Sequence, residues 1–199
     1  ISPTRNHHQD IRCYVAVIED ISRQKLLEEE IYAFAVSDRI TGLYSRKILL
    51  ELGNRDVAAA QRYGRAMTLL IVDIDHFKGV NDLYGYPAGN QYMRQLAGLC
   101  RASVRTTDLT GRIGKDSFAV LLTESDLCDA RLVAERIRKK AAEIRIDTPD
   151  GTVSCTVSVG GVALAARHQT LEQMVVECES LLQNYQLQQL TNGCIGFQS

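Results

Sequence analysis

The chain has 199 residues, 45% of them apolar, which suffices for one well-buried domain with a short extension rather than two full domains. Its 23 basic and 24 acidic residues nearly cancel, which argues against a nucleic-acid partner but allows a small anionic ligand held by a local cluster. The six cysteines contain no CxxC pair and no apolar run is long enough to span a bilayer, so we expect a reduced, cytoplasmic fragment. Because it begins at Ile1 without an initiator Met, we expect a longer polypeptide that could be membrane-attached.

The N-terminal residues predict a strand at 12–18 followed by a helix rich in Lys, Leu and Glu. Leu27, Ile31 and Phe34 have the spacing of a coiled-coil seam, which predicts a homodimer formed through this helix. Residues 12–30 resemble the closing strand and exit helix of a PAS sensor domain. The alternative is an ordinary strand and helix of the domain that follows. We therefore expect a boundary between 1–37, the end of a PAS-like domain with its signalling helix, and 38–199.

Beyond Asp38, helices and strands alternate around one predicted sheet, which gives a mixed α and β fold class. Apolar periodicity predicts helices at about 45–63, 88–104, 129–144 and 171–190. It predicts strands at about 67–73, 109–113, 118–123, 152–165 and 194–197. Gly114, Lys115 and Asp116 lie between two short strands and predict a hairpin turn.

Two acids follow the most apolar of these strands. Asp73 and Asp75 alternate with Ile74 and so share one face of the strand. A carboxylate at the end of a buried strand is costly unless a positive group meets it. Mg²⁺ bound to a nucleotide triphosphate is one such group, and two carboxylates can hold it. Asp116, at the hairpin, is a candidate second ligand. The alternative is a solvated strand end or a helix cap.

Four ordered motifs carry a family resemblance over about residues 38–197. They are DRITGLYSRK (38–47), VDIDHFKGVND with YGYPAGN (72–82 and 84–90), RTTD with RIGKDSF (105–108 and 112–118), and SVGGV (158–162). Together they resemble the GGDEF domain of the diguanylate cyclase family, which condenses two GTP molecules into cyclic di-GMP at the interface of two such domains. The resemblance implies an α+β fold like the palm of nucleotide cyclases and polymerases, with a central, mostly antiparallel sheet flanked by helices.

The resemblance also implies site residues. It makes Asp73, the carbonyl of Ile74 and Asp116 ligands of Mg²⁺, Lys78 a phosphate contact and Asn81 a guanine contact. It makes Arg105 and Asp108 an RxxD inhibitory site for cyclic di-GMP. A surface ion pair at a helix end is the alternative for these two residues.

The family pattern is broken at four positions. Lys115 replaces the second glycine of the hairpin motif Gly114–Phe118, where a side chain obstructs the triphosphate and where glycine tolerates positive φ better. Ser117 replaces an acid at the metal, Asn90 replaces an aspartate that accepts from guanine, and Gln186 replaces a phosphate-binding lysine. Lys115 could instead extend into solvent, or place its ammonium between Asp73 and Asp116.

These departures predict a degenerate, catalytically inactive GGDEF domain that binds GTP or cyclic di-GMP as a regulatory module. One alternative is a diguanylate cyclase with residual activity, based on Asp73, Lys78, Asn81 and Asp116. A second alternative is a dimerisation or interaction domain that binds no nucleotide. In the family, such domains often precede an EAL-type phosphodiesterase domain.

Overall fold

The computed structural model describes residues 2–5, 11–15, 23, 36–188 and 190–197. The chain divides into two compact units, Ile1–Ala33 and Phe34–Ser199. In the first unit, β1 (Ser2–Arg5) and β2 (Ile11–Val15) pair as an antiparallel hairpin. β2 overlaps the predicted strand 12–18, whereas the predicted seam of Leu27, Ile31 and Phe34 lies outside the described residues.

The second unit follows the predicted alternation of helices and strands. Its elements are α1 (Arg46–Tyr63), β3 (Met67–Ile74), α2 (Phe77–Ala102), β4 (Leu109–Arg112), β5 (Ser117–Thr123), α3 (Leu127–Ala141), β6 (Ile146–Thr148), β7 (Gly151–Val153), β8 (Val157–Ala163), α4 (Leu171–Leu187) and β9 (Cys194–Ile195). No helix in the described ranges combines the length and the apolar character needed to span a membrane.

Five of these strands form the central sheet, in the order β4-β5-β3-β8-β9. All neighbouring pairs are antiparallel except β8 and β9. The predicted α+β class, a mostly antiparallel sheet flanked by helices, is confirmed. Because β3 is the middle strand, its last residues have a neighbour on each side: Asp73 is opposite Ser117 of β5 and Ser158 of β8.

Helices cover both faces of the sheet, and the alternation of side chains along β3 decides what each face contacts. Leu70, Val72 and Ile74 belong to the core formed with α2 and α3. Leu69 and Ile71 belong to the core formed with α1 and α4. A full burial of each such side chain contributes about 1.5–3 kcal/mol, so a shift of β3 by one residue is strongly disfavoured. Asp73 continues the odd-numbered series and therefore lies on the α4 side.

The helix predicted at 88–104 is only the second part of α2. The helix begins at Phe77 and is interrupted at Gly85, which has φ 79° and ψ 161°. This conformation is open to glycine, and Pro87 in the next turn has no N–H to continue the ladder. The interruption turns the first part of α2 so that Asn81 lies beside Gly89.

The strand predicted at 152–165 is two strands, and a third was missed. β7 ends at Val153, β8 begins at Val157, and β6 pairs with β7 as a separate hairpin. Between β7 and β8, the Thr156 carbonyl accepts from the Asp75 backbone N–H (3.0 Å), and the Thr156 hydroxyl donates to the Asp75 carboxylate (2.6 Å). Thr156 therefore bonds to the end of β3 instead of continuing the pairing of β7.

The cysteines were predicted to be reduced and mostly in the core. Cys100, Cys155 and Cys178 are buried, as predicted. Cys128 is free but exposed, contrary to that expectation, because it lies near the start of α3 on the side away from the core.

Candidate functional site

The end of β3, the start of α2 and the end of α4 surround an open cavity of about 600 Å³. Five of the predicted site residues line it: Asp73, Ile74, Lys78, Asp116 and Gln186. These residues come from three separate stretches of the sequence, 73–78, 116 and 186. The structure therefore brings together the predicted metal and phosphate residues, and Leu190 and Thr191 close one side.

Asp73 is the most perturbed carboxyl group of this cavity. Burial raises its pKa to about 6, and the charges of Asp116, Asp75 and Glu179 add to the rise. A hydrogen bond from Gln186 opposes it: the Gln186 Nε2 donates to Asp73 Oδ1 at 2.8 Å. Gln186 thus occupies the predicted phosphate-contact position, but it supplies a neutral donor directed at a carboxylate rather than a cation.

The hairpin between β4 and β5 is closed at its tip. The backbone N–H groups of Ile113 and Gly114 both donate to the Ser117 carbonyl, at 3.0 and 3.2 Å. The N–H of Ile74 donates to the Asp116 carbonyl at 3.1 Å, which ties the tip to the end of β3. A Cβ atom at Gly114 would meet the Ser117 hydroxyl, so a larger residue there would displace that hydroxyl. Phe118, the last residue of the motif, is fully buried in the core.

Lys115 is exposed at the tip of the hairpin. The expectation that its position needs positive φ is wrong: the described non-glycine residues with positive φ are His76, Glu124 and Asn192. The alternative in which its ammonium lies between Asp73 and Asp116 is wrong as well. Among the described residues, Lys115 makes no ion pair. The backbone at 115 carries no left-handed strain.

Three residues that the sequence analysis did not single out fix the hairpin from outside. Arg112 pairs with Asp38 (Nη1 to Oδ2, 3.2 Å), and its Nε donates to the Gly114 carbonyl at 3.0 Å. Arg46, at the start of α1, donates to the Ile113 carbonyl at 2.8 Å. The sequence did not predict the ion pair between Asp38 and Arg112, because 74 positions separate the two residues along the chain.

Asp38 also organises the loop that precedes α1. Its Oδ1 accepts from the Thr41 N–H (2.9 Å) and hydroxyl (2.7 Å). Burial raises the pKa of Asp38, but the Thr41 hydrogen bonds and the charge of Arg112 outweigh burial and hold that pKa below its ordinary value. The carboxylate therefore stays charged and links this loop to the hairpin.

Asp75 has a different role from Asp73, although both belong to the same strand end. Its carboxylate is 5% exposed and accepts from Thr156 Oγ1 (2.6 Å), Ser158 Oγ (2.7 Å) and the Asn192 N–H (2.9 Å). Asn192 has φ 56° and is also held by Arg138, whose Nη1 donates to Asn192 Oδ1 at 2.8 Å. Asp75 anchors the segment before β9, and its lone pairs are used within the fold.

The donor set at the cavity decides what kind of cation fits. Within the described ranges, no group of three or more His, Cys, Asp or Glu side chains is placed to hold a metal ion. Two carboxylates, Asp73 and Asp116, and the Ile74 carbonyl remain. Mg²⁺ is commonly held by one or two carboxylates together with phosphate oxygens and water. The residues fit a metal carried on a phosphate group rather than a resident ion held by protein alone.

Asn81 and Asn90, the predicted base contacts, are both half-buried on α2. Asn81 follows Lys78 by one turn, so the two share a helical face. Its Oδ1 lies 2.1 Å from the point where a Cβ on Gly89 would be, so only glycine admits the amide there. In the part of the chain that the structure describes, neither amide has a hydrogen-bond partner.

The RxxD residues lie away from this cavity, next to α3. The Asp108 carboxylate accepts from the Thr123 N–H (3.0 Å), the Thr123 hydroxyl (3.1 Å) and the Arg105 N–H (2.9 Å). The predicted alternative, an ion pair between Arg105 and Asp108, is not formed: the Arg105 guanidinium is exposed and pairs with no described residue. Arg105 and Asp108 line a cavity of about 530 Å³ with Arg136, which the sequence analysis missed.

Comparisons with known proteins agree with this fold. Residues 35–191 match the family described as diguanylate cyclase, GGDEF domain. The chain is 35% identical over 127 residues to the probable diguanylate cyclase DgcT and 30% identical over 167 residues to the diguanylate cyclase DosC, both of Escherichia coli K12. The matches cover 63% and 83% of this chain, but only 28% and 36% of those two proteins.

A solved structure supports the fold. The coiled coil and GGDEF domain of DgcB from Caulobacter crescentus, in complex with c-di-GMP, superposes with a TM-score of 0.80 at 22% identity. The alignment covers 88% of this chain and 93% of that one. The family match spans β3, β4, β5 and β8 of the central sheet, the cavity at the end of β3 and the hairpin between β4 and β5. The chain therefore belongs to the GGDEF domain family of the diguanylate cyclases.

Proposed function

We propose that this domain is a nucleotide-binding regulatory module of a cyclic di-GMP signalling protein and that it has lost diguanylate cyclase turnover. The observation that carries the proposal is the contact between Gln186 and Asp73. At the position where the family resemblance implies a lysine for the phosphates, a neutral amide donates to the proposed metal carboxylate. A bound triphosphate would therefore lack the lysine ammonium as a partner, and it would have to displace the Gln186 amide from Asp73.

The other departures act on the same reaction. Ser117 places a hydroxyl packed against Gly114 where the resemblance implies a carboxylate at the metal. Asn90 offers one acceptor oxygen where a carboxylate offers two. Removing a single preorganised charge-stabilising group typically costs about 10²–10³ in rate, and the losses here concern metal, phosphate and base together.

The geometry also supports a second candidate function, residual cyclase activity. Asp73, Lys78 and Asp116 still line one cavity, and the Lys115 backbone is unstrained. The similar proteins DgcT and DosC are themselves named diguanylate cyclases. The side chains at 90, 117 and 186 therefore account for most of the proposed loss of turnover, and the obstruction expected from Lys115 is a further contribution.

Two ligand sites are proposed. GTP would place its phosphates near Lys78, and Mg²⁺, held by Asp73, Asp116 and the Ile74 carbonyl, would supply positive charge to those phosphates. Cyclic di-GMP would bind at Arg105 and Asp108, where the exposed guanidinium is available for a phosphate or guanine acceptor. The complex of DgcB with c-di-GMP, a protein of the same fold, supports the choice of ligand.

The domain boundaries and the neighbouring domains are also part of the proposal. Residues 1–37 are proposed to be the end of a PAS-like sensor domain with a signalling helix, and 38–199 the GGDEF domain. We further propose a homodimer through the helix of Leu27, Ile31 and Phe34, an adjacent EAL-type phosphodiesterase domain and a cytoplasmic location for this fragment. Apolar coiled-coil spacing in one heptad supports the dimer.

The test is calorimetric titration of the purified protein with GTP plus Mg²⁺ and, separately, with cyclic di-GMP, followed by analysis of the recovered solution for product. Binding without product supports the regulatory module. Steady formation of cyclic di-GMP from GTP establishes the residual cyclase instead. Absence of binding by both nucleotides leaves the interaction domain without nucleotide as the function.

A further inference from the structure

The two edges of the central sheet differ in what lies beyond them. At β4, the segment before α1 covers the edge: the Tyr44 N–H donates to the Thr110 carbonyl (3.3 Å), and the Arg112 N–H donates to the Tyr44 carbonyl (2.9 Å). At β9, no further strand or bridge follows among the residues that the structure describes. An uncovered strand edge of this kind can pair with a segment of another chain.

The backbone of β9 directs part of its hydrogen-bonding capacity outward. The Val159 N–H of β8 donates to the Gly193 carbonyl at 2.8 Å, so that carbonyl faces β8. Because backbone groups alternate in direction along a strand, the N–H and the carbonyl of Cys194 face away from β8. Residues 194–197 include no charged residue and no proline, which are common means of blocking an exposed edge. The edge is therefore suited to pairing with an added strand.

A cavity of about 440 Å³ lies along this edge. Its lining comes from α3, α4 and the last described residues: Arg131, Leu181, Tyr185, Cys194, Ile195, Gly196 and Phe197. The helices α3 and α4 cover opposite faces of the sheet, so a cavity that reaches both lies beyond the edge of β9. Neighbouring side chains of an added strand would point to these two faces in turn, and an apolar one would contact Leu181 on the α4 side.

Arg131 gives the α3 side of this cavity a positive charge. The residue is exposed and makes no ion pair with any described residue. Glu135, one turn later on α3, pairs instead with Arg138 at 2.9 Å. Arg138 Nη1 also donates to Asn192 Oδ1 at 2.8 Å, which holds the segment that leads into β9. The edge is thus fixed before a partner binds, and the partner side chain that best complements Arg131 is a carboxylate.

We propose that the outer edge of β9 binds an extended acidic peptide of a partner protein as a sixth strand of the central sheet. Main-chain hydrogen bonds to Cys194 would supply affinity, and the cavity would select the side chains, as in other cases of strand addition. The peptide carries an acidic residue for Arg131 next to an apolar residue for Leu181, because adjacent side chains of a strand point to opposite faces. The proposal does not depend on nucleotide binding.

The experiment measures binding of a dye-labelled, capped heptapeptide by fluorescence anisotropy. Its sequence, VTVDVTV, places valines on one face and an aspartate between two threonines on the other. The wild type should bind this peptide, and replacing its aspartate by lysine should weaken binding by about tenfold or more, because a charge-assisted hydrogen bond becomes a repulsion. Arg131→Glu should reverse this preference. The matched control is Lys140→Glu, an exposed cation on the opposite flank of α3, which should leave the preference unchanged.

Methylation of the peptide nitrogens distinguishes strand addition from electrostatic adhesion. An added strand pairs with β9 through one edge only, so methylating the nitrogens of that edge should abolish binding and methylating those of the other edge should not. Equal effects of the two methylations overturn the proposal. It is also overturned if the aspartate peptide does not bind, or if Arg131→Glu keeps the wild-type preference.

Sedimentation of the protein alone tests the other occupant of this edge, a second copy of the chain. Self-association of the wild type that Arg131→Glu abolishes would assign the edge to that second copy and overturn the peptide partner. Arg131→Glu and Lys140→Glu should both unfold at the wild-type temperature, since each replaces an exposed side chain. A changed preference in Arg131→Glu is then a change in binding.

Discussion

Asp38 and Arg112 form an ion pair of 3.2 Å between the loop that precedes α1 and the end of β4. Both side chains are largely shielded, 22% and 14% exposed, and Arg112 also donates to the carbonyls of Gly114 and Lys115. The loop at 38–43 and the hairpin tip are therefore joined by a single guanidinium.

Replacing Arg112 by Ala should lower the free energy of unfolding by about 1–3 kcal/mol, because it removes the cation paired with Asp38 and the donor to two hairpin carbonyls. Hydrogen exchange of the Ile113 and Gly114 amides, which donate to the Ser117 carbonyl, should accelerate. The matched control is Arg55→Ala: the Arg55–Glu51 pair is 71% and 52% exposed and should contribute less than about 0.5 kcal/mol. Equal effects of the two substitutions contradict the prediction.

Restoring the residues of the family pattern at the four altered positions should restore diguanylate cyclase activity. The fourfold variant Asn90→Asp, Lys115→Gly, Ser117→Glu and Gln186→Lys is expected to form cyclic di-GMP from GTP at a rate at least about 10² above the wild type. Chromatography of the nucleotide products measures this gain. Adding Asp73→Ala to the fourfold variant should abolish it. A wild-type rate equal to that of the fourfold variant shows that these positions do not limit turnover.

Asp73 should make stability depend on pH. Its pKa is raised to about 6 in the folded protein from an ordinary 3.8, so the folded state binds the proton more tightly and stability falls as pH rises through this interval. Above about pH 6 the Asp73 carboxyl is ionised in the folded protein, and its burial then lowers the free energy of unfolding by about 1–2 kcal/mol, after allowance for its partial exposure. Asp73→Asn should therefore gain stability relative to wild type between about pH 4 and 6 and keep that gain at pH 8. Urea unfolding of both proteins across this range gives the comparison, and a difference that does not vary with pH speaks against it.

Arg105→Ala should weaken cyclic di-GMP binding by about tenfold or more, since a charge-assisted hydrogen bond is lost. The unfolding free energy should change by less than about 0.5 kcal/mol, because the guanidinium is exposed and makes no ion pair within the described residues. Arg94→Ala, an exposed arginine on α2, is the matched control for charge. Similar loss of affinity in both variants indicates a non-specific electrostatic effect rather than a site at Arg105.

Gly89→Ala should reduce nucleotide binding at the cavity without unfolding the protein. The added Cβ would lie 2.1 Å from Asn81 Oδ1, so the amide must leave its place, which is possible because it ends a flexible side chain. Gly98→Ala on the same helix has open space around its Cβ and should gain about 0.5–1 kcal/mol of stability with unchanged binding. Equal binding by both variants removes the argument for Asn81 as a ligand contact.

The sequence predicted helices and strands correctly where the local pattern of apolar residues determines the secondary structure. The apolar run of β3 and the periodicity of α1 and α4 gave element types and approximate limits, because one face of each is buried. The cavity residues were predicted from motifs and lie together in the structure. The predicted ends of strands were wrong where a tertiary hydrogen bond outweighs the local apolar pattern. Thr156 bonds to Asp75 and so interrupts the segment 152–165, which the sequence predicts as one strand.

Long-range partners were beyond the reach of the sequence. No pattern along the chain indicates that Arg46 bonds the Ile113 carbonyl or that Arg136 joins the cavity of Arg105, because these contacts depend on how helices pack on the sheet. The conformation of Lys115 was misjudged for a related reason. The hydrogen bonds of Ile113 and Gly114 to Ser117 close the tip without a left-handed residue at position 115.

The three hydrogen bonds of Asp75 change how mutations at this strand end must be interpreted. Its carboxylate holds the turn before β8 and the segment before β9, so Asp75→Asn exchanges one acceptor oxygen for a donor facing other donors. A screen that scored only the output of a signalling pathway would record loss at Asp73 and at Asp75 alike. Loss at Asp73 would report the proposed ligand contact, whereas loss at Asp75 would report a shortage of folded protein.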